Sequence, residues 1–328
     1  MSFKEVTLND IREAYQHIRP LVIRTPLIES QHLSESLGAR LFLKLENLQV
    51  TGSFKARGAA NKLRSLSSGE RERGVITVSS GNHGRAVAYV ARELGIHAVI
   101  CLSEAVPVSK VEEIRALDAE VLICGRTYDE ADGEAQRIQT DRGLTMVHPF
   151  DDPLIIAGQG TVGLELMEDT PRLDTVIVPL SGGGLISGIA LAIKSTDPSI
   201  RVIGVTMERG PAMYRSLRAG KIVEVEEEPT LADALAGGIG FDNAYTFSMV
   251  QRYVDDTLLV SESEIAGAMA FALEKHRLIV EGGGAVGIAT VLYGKVKELG
   301  ERVAVVVSGG NVDLSTMFRI AREQGVLQ

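Results

Sequence analysis

Thr51-Gly52-Ser53-Phe54-Lys55-Ala56-Arg57-Gly58 decides how this chain is read. The stretch follows an apolar, strand-like run, Leu41-Phe42-Leu43-Lys44-Leu45-Glu46, and precedes a helix-like run, Ala59 to Leu66. A lysine at such a junction, flanked by glycines, can point into a cleft instead of into solvent. Two further glycine turns also follow apolar strands: Ser181-Gly182-Gly183-Gly184 and Ser308-Gly309-Gly310-Asn311. A lone lysine would mean little, because most lysines are solvated charges. The lysine and the two turns together point to a phosphate-bearing cofactor held covalently.

Bulk properties are consistent with this. The chain has 328 residues, enough for two domains or a single large one. Apolar residues make up 45% and charged residues 23%, as in a soluble globular protein whose core needs no staple. A formal net charge of -9 disfavours nucleic acid and anionic membranes, which call for clustered Lys and Arg. The acidic residues Glu224, Glu226, Glu227 and Glu228 read as a solvated loop or strand edge. Cys101 and Cys124 lie in or beside apolar runs and read as buried free thiols, with no disulfide framework or zinc spacing. The start, Met1-Ser2-Phe3-Lys4-Glu5, lacks the apolar core of a signal peptide, and no apolar run reaches the roughly 18 residues of a membrane helix. The expectation is a cytoplasmic protein acting on a small molecule, without nucleic-acid or membrane partners.

Short apolar runs alternate with longer helical patterns, which predicts an α/β architecture with mostly parallel strands. The buried strands expected are Leu41 to Leu45, Val75 to Val78, Ala98 to Leu102, Glu120 to Ile123, Thr175 to Val178, Arg201 to Val205 and Val303 to Val307. Residues 74–150 read as strand-helix-strand-helix-strand-helix-strand, a small domain inserted into a large one made of 1–73 and 151–328. A cleft between two such units is a common place for an active site.

Each turn has its own chemistry. Ser181 to Gly184 sits between a buried strand and the helix Leu185 to Ile193; its backbone amides and the positive end of the helix suit a phosphate. An unliganded tight turn would have the same sequence. The spacing of Gly182, Gly184 and Gly188 does not match a dinucleotide fingerprint, and no phosphate-loop motif of nucleotide hydrolases is present. Ser79-Ser80-Gly81-Asn82-His83-Gly84 precedes a helix, Arg85 to Leu94, and stacks hydroxyls, an amide and backbone N–H groups where a carboxylate would bind. Helix capping accounts for one of these polar residues, not all. His83 reads as a histidine in a local hydrogen bond more readily than as a base. Ser308 can face a heteroaromatic nitrogen or cap the helix starting near Asp313. Glu281, before Gly282-Gly283-Gly284, can cap the helix Ala285 to Leu292 or line the cleft; the sequence leaves both open.

At these residues the chain resembles the fold-type II pyridoxal-phosphate enzymes, tryptophan synthase β-like in fold, and within them the serine/threonine dehydratases and serine racemases. The motifs are G-S-F-K-x-R-G-A, S-S-G-N-H-G, S-G-G-G-L and S-G-G-N, and the resemblance covers nearly the whole chain. It implies two open, twisted, mostly parallel sheets with flanking helices, and pyridoxal 5'-phosphate as cofactor. By the same resemblance Lys55 carries the cofactor and Phe54 lies against its ring. Ser181, Gly182, Gly183, Gly184 and Leu185 hold the phosphate, Asn82 bonds the ring hydroxyl, Ser308 faces the pyridine nitrogen, and Glu281 lines the site. Ser79, Ser80, Gly81, Asn82 and His83 take the substrate carboxylate, and Ser80, opposite Lys55, is the second acid–base group of the racemases. A homodimer or homotetramer is also implied.

The implied reaction is β-elimination from a β-hydroxy amino acid such as L-threonine or L-serine, giving a 2-oxo acid and ammonia, an ammonia-lyase activity. Relatives that bind a divalent cation use acidic residues where this chain has Thr206 and Ala212; Glu208 alone makes a poor cation site, so no metal is expected. Ala236-Gly237-Gly238-Ile239-Gly240-Phe241-Asp242-Asn243 resembles the hydroxyectoine utilisation dehydratases of the same family, which keeps hydroxyectoine or a derivative as an alternative substrate. Serine or hydroxyaspartate racemisation is a further alternative, because Ser80 is present.

Overall fold

The computed structural model describes residues 5–104, 106–170 and 172–327. Among these residues the larger sheet has six strands, in the order β1 (Leu27–Glu29), β2 (Arg40–Leu45), β10 (Arg302–Val307), β7 (Thr175–Pro179), β8 (Arg201–Met207) and β9 (Asp256–Val260). Only β1 runs antiparallel to its neighbour. The smaller sheet has four parallel strands, β5 (Glu120–Ile123), β4 (Ala98–Leu102), β3 (Val75–Val78) and β6 (Thr145–Met146). Strands such as β7 and β4 are buried along their whole length, as their continuous apolar runs require when helices cover both faces of a parallel sheet.

The structure departs from the sequence reading at the edges. Strand β1 has three residues, too few to show a period, whereas β6, with two, stands where the 74–150 pattern places its fourth strand. β9 is mostly half-buried, at the far edge of its sheet. β5, expected to be buried, is a half-buried edge strand because it pairs only with β4. Cys101 is fully buried, but Cys124, just beyond β5, is only partly so. The helix expected from Ala59 to Leu66 spans Lys55–Arg64, so Lys55 opens the helix instead of preceding it.

Topology brings the motifs together. β2, β10 and β7 are neighbours, with Leu45 opposite Val307 and Val305 opposite Ile177. The turns that follow them therefore leave the sheet along one carboxyl edge, where ligands bind in open α/β sheets. The lysine turn is also stitched to the Ser308 turn: Phe54 N–H donates to Ser308 O at 3.1 Å and Gly310 N–H to Gly52 O at 2.9 Å. Ser53 and Gly309 form an antiparallel bridge between these bonds.

The Lys55 helix is anchored from within. Arg57 Nε and Nη2 donate to Glu46 (both 2.8 Å), Nη1 and Nη2 to Glu165 (2.7 and 2.9 Å), and Nη1 to Thr161 Oγ1 (3.1 Å). Lys44 Nζ adds contacts to Glu165 (2.6 Å) and to Thr25 O (2.8 Å). All four charged side chains are buried. Burial opposes the charge on Glu46, but Arg57, aided by the Thr25 hydroxyl, outweighs it and holds the carboxyl below its ordinary range.

Glycines let the helices Pro153–Asp169 and Gly184–Lys194 touch along their backbones. A Cβ at Gly188 would lie 2.3 Å from Ile156 O and 2.5 Å from Gly160 N. Gly188→Ala should therefore destabilise the fold by about 1–3 kcal/mol. Gly133, a helical glycine with nothing within 4 Å of its Cβ position, should instead gain about 0.5–1 kcal/mol on substitution by alanine. Denaturant titration of the two variants checks the contrast; equal effects would contradict the packing described.

Candidate active site

Lys55, first residue of its helix, reaches across to the chain leaving β6: its Nζ donates to Pro149 O at 2.7 Å and lies 5.3 Å from the centre of the Phe54 ring. A carbonyl and an aromatic face surround the amine in place of a carboxylate partner. Burial pulls its pKa down to about 8, against the charge of Glu281, which works to raise it. Burial also shifts the two histidines nearby toward their neutral forms. His83 is lowered to about 3, by burial and then by the charge of Lys55. Burial likewise lowers His148.

His83 donates from Nε2 to Val147 O at 2.9 Å, a bond to a distant segment and not the local one expected. His148 Nδ1 accepts from the N–H groups of Phe150 and Asp151 at 3.2 and 2.7 Å. Two donors aimed at Nδ1 leave the ring proton on Nε2.

The second motif starts its helix earlier than expected, at Asn82, with Gly81 as the cap residue and no side-chain cap bond. Capping therefore explains none of its polar residues. Ser79 and Ser80 are half-buried, and the Ser80 hydroxyl has no partner among the described residues. Asn82 Nδ2 donates to Glu281 Oε1 at 2.7 Å, and Asn311 N–H to Glu281 Oε2 at 3.1 Å. This answers the open question at Glu281: its side chain does not cap the helix Gly282–Leu292 but turns toward Asn82. Burial raises its pKa to about 7, opposed by the Asn82 hydrogen bond. Asp313, likewise, is the cap residue of the helix Leu314–Glu323, so Ser308 does not cap that helix.

Gly183, at φ +91°, leads into the helix Gly184–Lys194, which also has no side-chain cap. Its leading N–H groups have no side-chain acceptor, the condition under which a helix end takes an anion. The glycines there are also dictated by Phe150: a Cβ at Gly182 would lie 2.3 Å from its ring. Ser181 is half-buried and Leu185 buried. Ser308 is buried, with only a long 3.4 Å bond to Gly283 O, so its hydroxyl is available. An uncapped helix end, a half-buried amine of lowered pKa against an aromatic face and a weakly bonded hydroxyl fit the phosphate, aldehyde and ring nitrogen of pyridoxal phosphate.

The sequence reading missed Pro149, Phe150 and Asn311 as neighbours of the site. Asn311 had a signal, the last position of the fourth motif; Pro149 and Phe150 had none beyond their place at the chain's return between sheets. Among the described residues no group of three or more His, Cys, Asp or Glu is arranged to hold a metal ion, and no helix is long and apolar enough to cross a membrane.

The two coupled groups make a testable pair. In cofactor-free protein, acylation of Lys55 should be half-maximal near pH 8, because burial disfavours the protonated amine. Glu281→Gln removes the charge that supports the ammonium and should move that midpoint lower. Peptide mapping of the acylated lysine against pH reads it; a midpoint near that of a solvated lysine, or a rise in the variant, would contradict the electrostatics.

Residues 18–309 match the family of pyridoxal-phosphate dependent enzymes. An L-threonine ammonia-lyase of Thermotoga maritima is 49% identical over 315 residues, 96% of this chain and 78% of that protein. The solved structure of maize serine racemase superposes with a TM-score of 0.91 at 37% identity, covering 98% of this chain and 99% of that one. The processed form of threonine deaminase isoform 2 from Solanum lycopersicum gives 0.89 at 32% identity, over 99% and 91%. The chain belongs to the pyridoxal-phosphate dependent enzymes of fold type II, in their serine/threonine dehydratase and serine racemase group.

Proposed function

We propose that this protein deaminates a β-hydroxy amino acid, L-threonine before L-serine, to a 2-oxo acid and ammonia, in a cleft between a small unit, 74–150, and a large one, 1–73 with 151–328. The observation that carries the reading is the half-buried amine of Lys55, its pKa lowered, near the uncapped helix start at Ser181–Leu185 and the turn at Ser308. The threonine activity of relatives such as the Thermotoga maritima ammonia-lyase supports the substrate class.

Bound pyridoxal phosphate supplies an electrophilic carbon for the amine and an electron sink for the α-carbon. The protein supplies the rest. Lys55 would hold the cofactor and, released from it, accept the α-proton; with its pKa pulled down to about 8, a larger share of the amine is unprotonated than in a solvated lysine, and that share grows as pH rises above neutral. Gly182, Gly183, Gly184 and Leu185, with Ser181, present N–H groups to the phosphate. Ser79, Ser80, Gly81 and the start of the Asn82–Leu94 helix receive the substrate carboxylate, with neutral His83 beside them. Phe54 would lie against the cofactor ring, and Asn82 and Glu281 would be placed to meet its hydroxyl. Ser308, a neutral hydroxyl, does not hold a proton on the ring nitrogen as an aspartate would. A neutral partner there would leave bound pyridoxal phosphate a weaker electron sink, which suits elimination of the β-hydroxyl.

A second reading, racemisation, is favoured by the unpartnered Ser80 hydroxyl and by the likeness to maize serine racemase. Ammonia release measured across L-threonine, L-serine, hydroxyaspartate and hydroxyectoine should be greatest for L-threonine; none from either threonine or serine would overturn the proposal. Exchange of the α-hydrogen with inversion would favour the second reading. Ser308→Asp should lower deamination on the order of a hundredfold, the scale of a misplaced acid–base group; unchanged turnover would contradict the role given to Ser308.

A further inference from the structure

Asn311 closes the fourth motif, and the chemistry above gives it no part. It is the centre of a polar chain joining both sheets. Arg85 Nη1 donates to Asn311 Oδ1 at 3.0 Å, and Asn311 Nδ2 donates to Thr51 O at 2.9 Å and to Asn82 Oδ1 at 2.6 Å. The backbone makes room for it: Gly52 has φ +74°, and a Cβ there would lie 2.3 Å from Asn311 Oδ1.

The polarity of this chain is not arbitrary. A guanidinium only donates and a main-chain carbonyl only accepts. Arg85 and Thr51 O therefore fix the Asn311 amide with oxygen toward Arg85 and nitrogen toward Thr51 and Asn82. The Asn82 atom that faces Asn311 must then be its oxygen. Its nitrogen turns the other way, one N–H to Glu281 Oε1 at 2.7 Å, the second without a partner among the described residues.

We infer that Asn311 is a positioning residue that sets which end of the Asn82 amide is presented to the cofactor. It does so through the hydrogen bond from its Nδ2 to Asn82 Oδ1. The same residue donates its main-chain N–H to Glu281 Oε2 at 3.1 Å, so both carboxylate oxygens accept from this network. Asn311→Asp would set a carboxylate against two acceptors, Thr51 O and Asn82 Oδ1. Asn82 would turn over, withdrawing its N–H from the cofactor and placing its oxygen against Glu281. The inference rests on the reading of Asn82 as a cofactor ligand.

The test is a double-mutant cycle on cofactor binding, measured by titrating cofactor-free protein with pyridoxal phosphate. Asn82→Ala and Asn311→Asp should each weaken binding about tenfold, and the double variant no further than about tenfold, because Asn311 acts only through Asn82. The pH profile of the bound cofactor's visible absorbance should shift in Asn311→Asp, which a merely structural role would leave in place. Losses that multiply to about a hundredfold, or an Asn311→Asp variant that binds and titrates as the parent does, would overturn the inference. If Asn311→Asp does not melt cooperatively, Asn311→Ser takes its place in the same cycle under the same criteria. Parent protein that fails to bind the cofactor would instead overturn the proposed function.

Discussion

The arrangement depends on Arg57. Its guanidinium is fully buried, and its bonds to Glu46, Glu165 and Thr161 engage each of its N–H groups. With Lys44 the cluster carries two positive and two negative charges. A buried pair of this kind is costly unless its geometry is complete, and removing one partner would leave an uncompensated charge inside the protein. Completeness makes it a fixed point. It ties β2 and the residues just after it to the helices Lys55–Arg64 and Pro153–Asp169, two residues from the reactive amine. The helix that begins with Lys55 has no side-chain cap, so this internal clamp performs the fixing that a cap would otherwise do.

With that helix fixed, sheet order does the rest. Neighbouring parallel strands deliver their turns to one edge, and the three turns that matter follow β2, β10 and β7. The smaller sheet brings the start of the Asn82–Leu94 helix and the Pro149–Phe150 segment against them. Burial where these segments meet disfavours charge of either sign: Lys55, His83 and His148 are pushed toward their neutral forms, and Glu281 toward its protonated form. A neutral amine is the form that can attack a carbonyl carbon, and poised pKa values of this kind mark functional sites.

Much of this was legible in the sequence. Seven strands lay in runs of Val, Ile and Leu long enough to be seen, and the glycine turns marked their ends. Other edges were not legible, because the three residues of β1 show no period and β5 is as apolar as a buried strand while pairing on one side only. Residue by residue, the motifs singled out Lys55, Asn82, Glu281 and Ser308 but not the groups they bond in the fold. Whether Glu281 capped a helix or faced Asn82 depended on a contact 199 positions away in the chain. His83 was expected to bond locally and instead bonds Val147, just beyond the neighbouring strand β6 and 64 positions away in the chain. Pro149 and Phe150 form part of the cleft wall through a return crossing whose path no local pattern records.

The central claim is that the amine of residue 55 forms the covalent link to pyridoxal phosphate. Borohydride reduction of the cofactor-loaded protein, followed by proteolysis and peptide mass spectrometry, tests it most directly. The account predicts a pyridoxyl group on the peptide that contains Lys55. A group on any other lysine, or none after saturation with the cofactor, would contradict it.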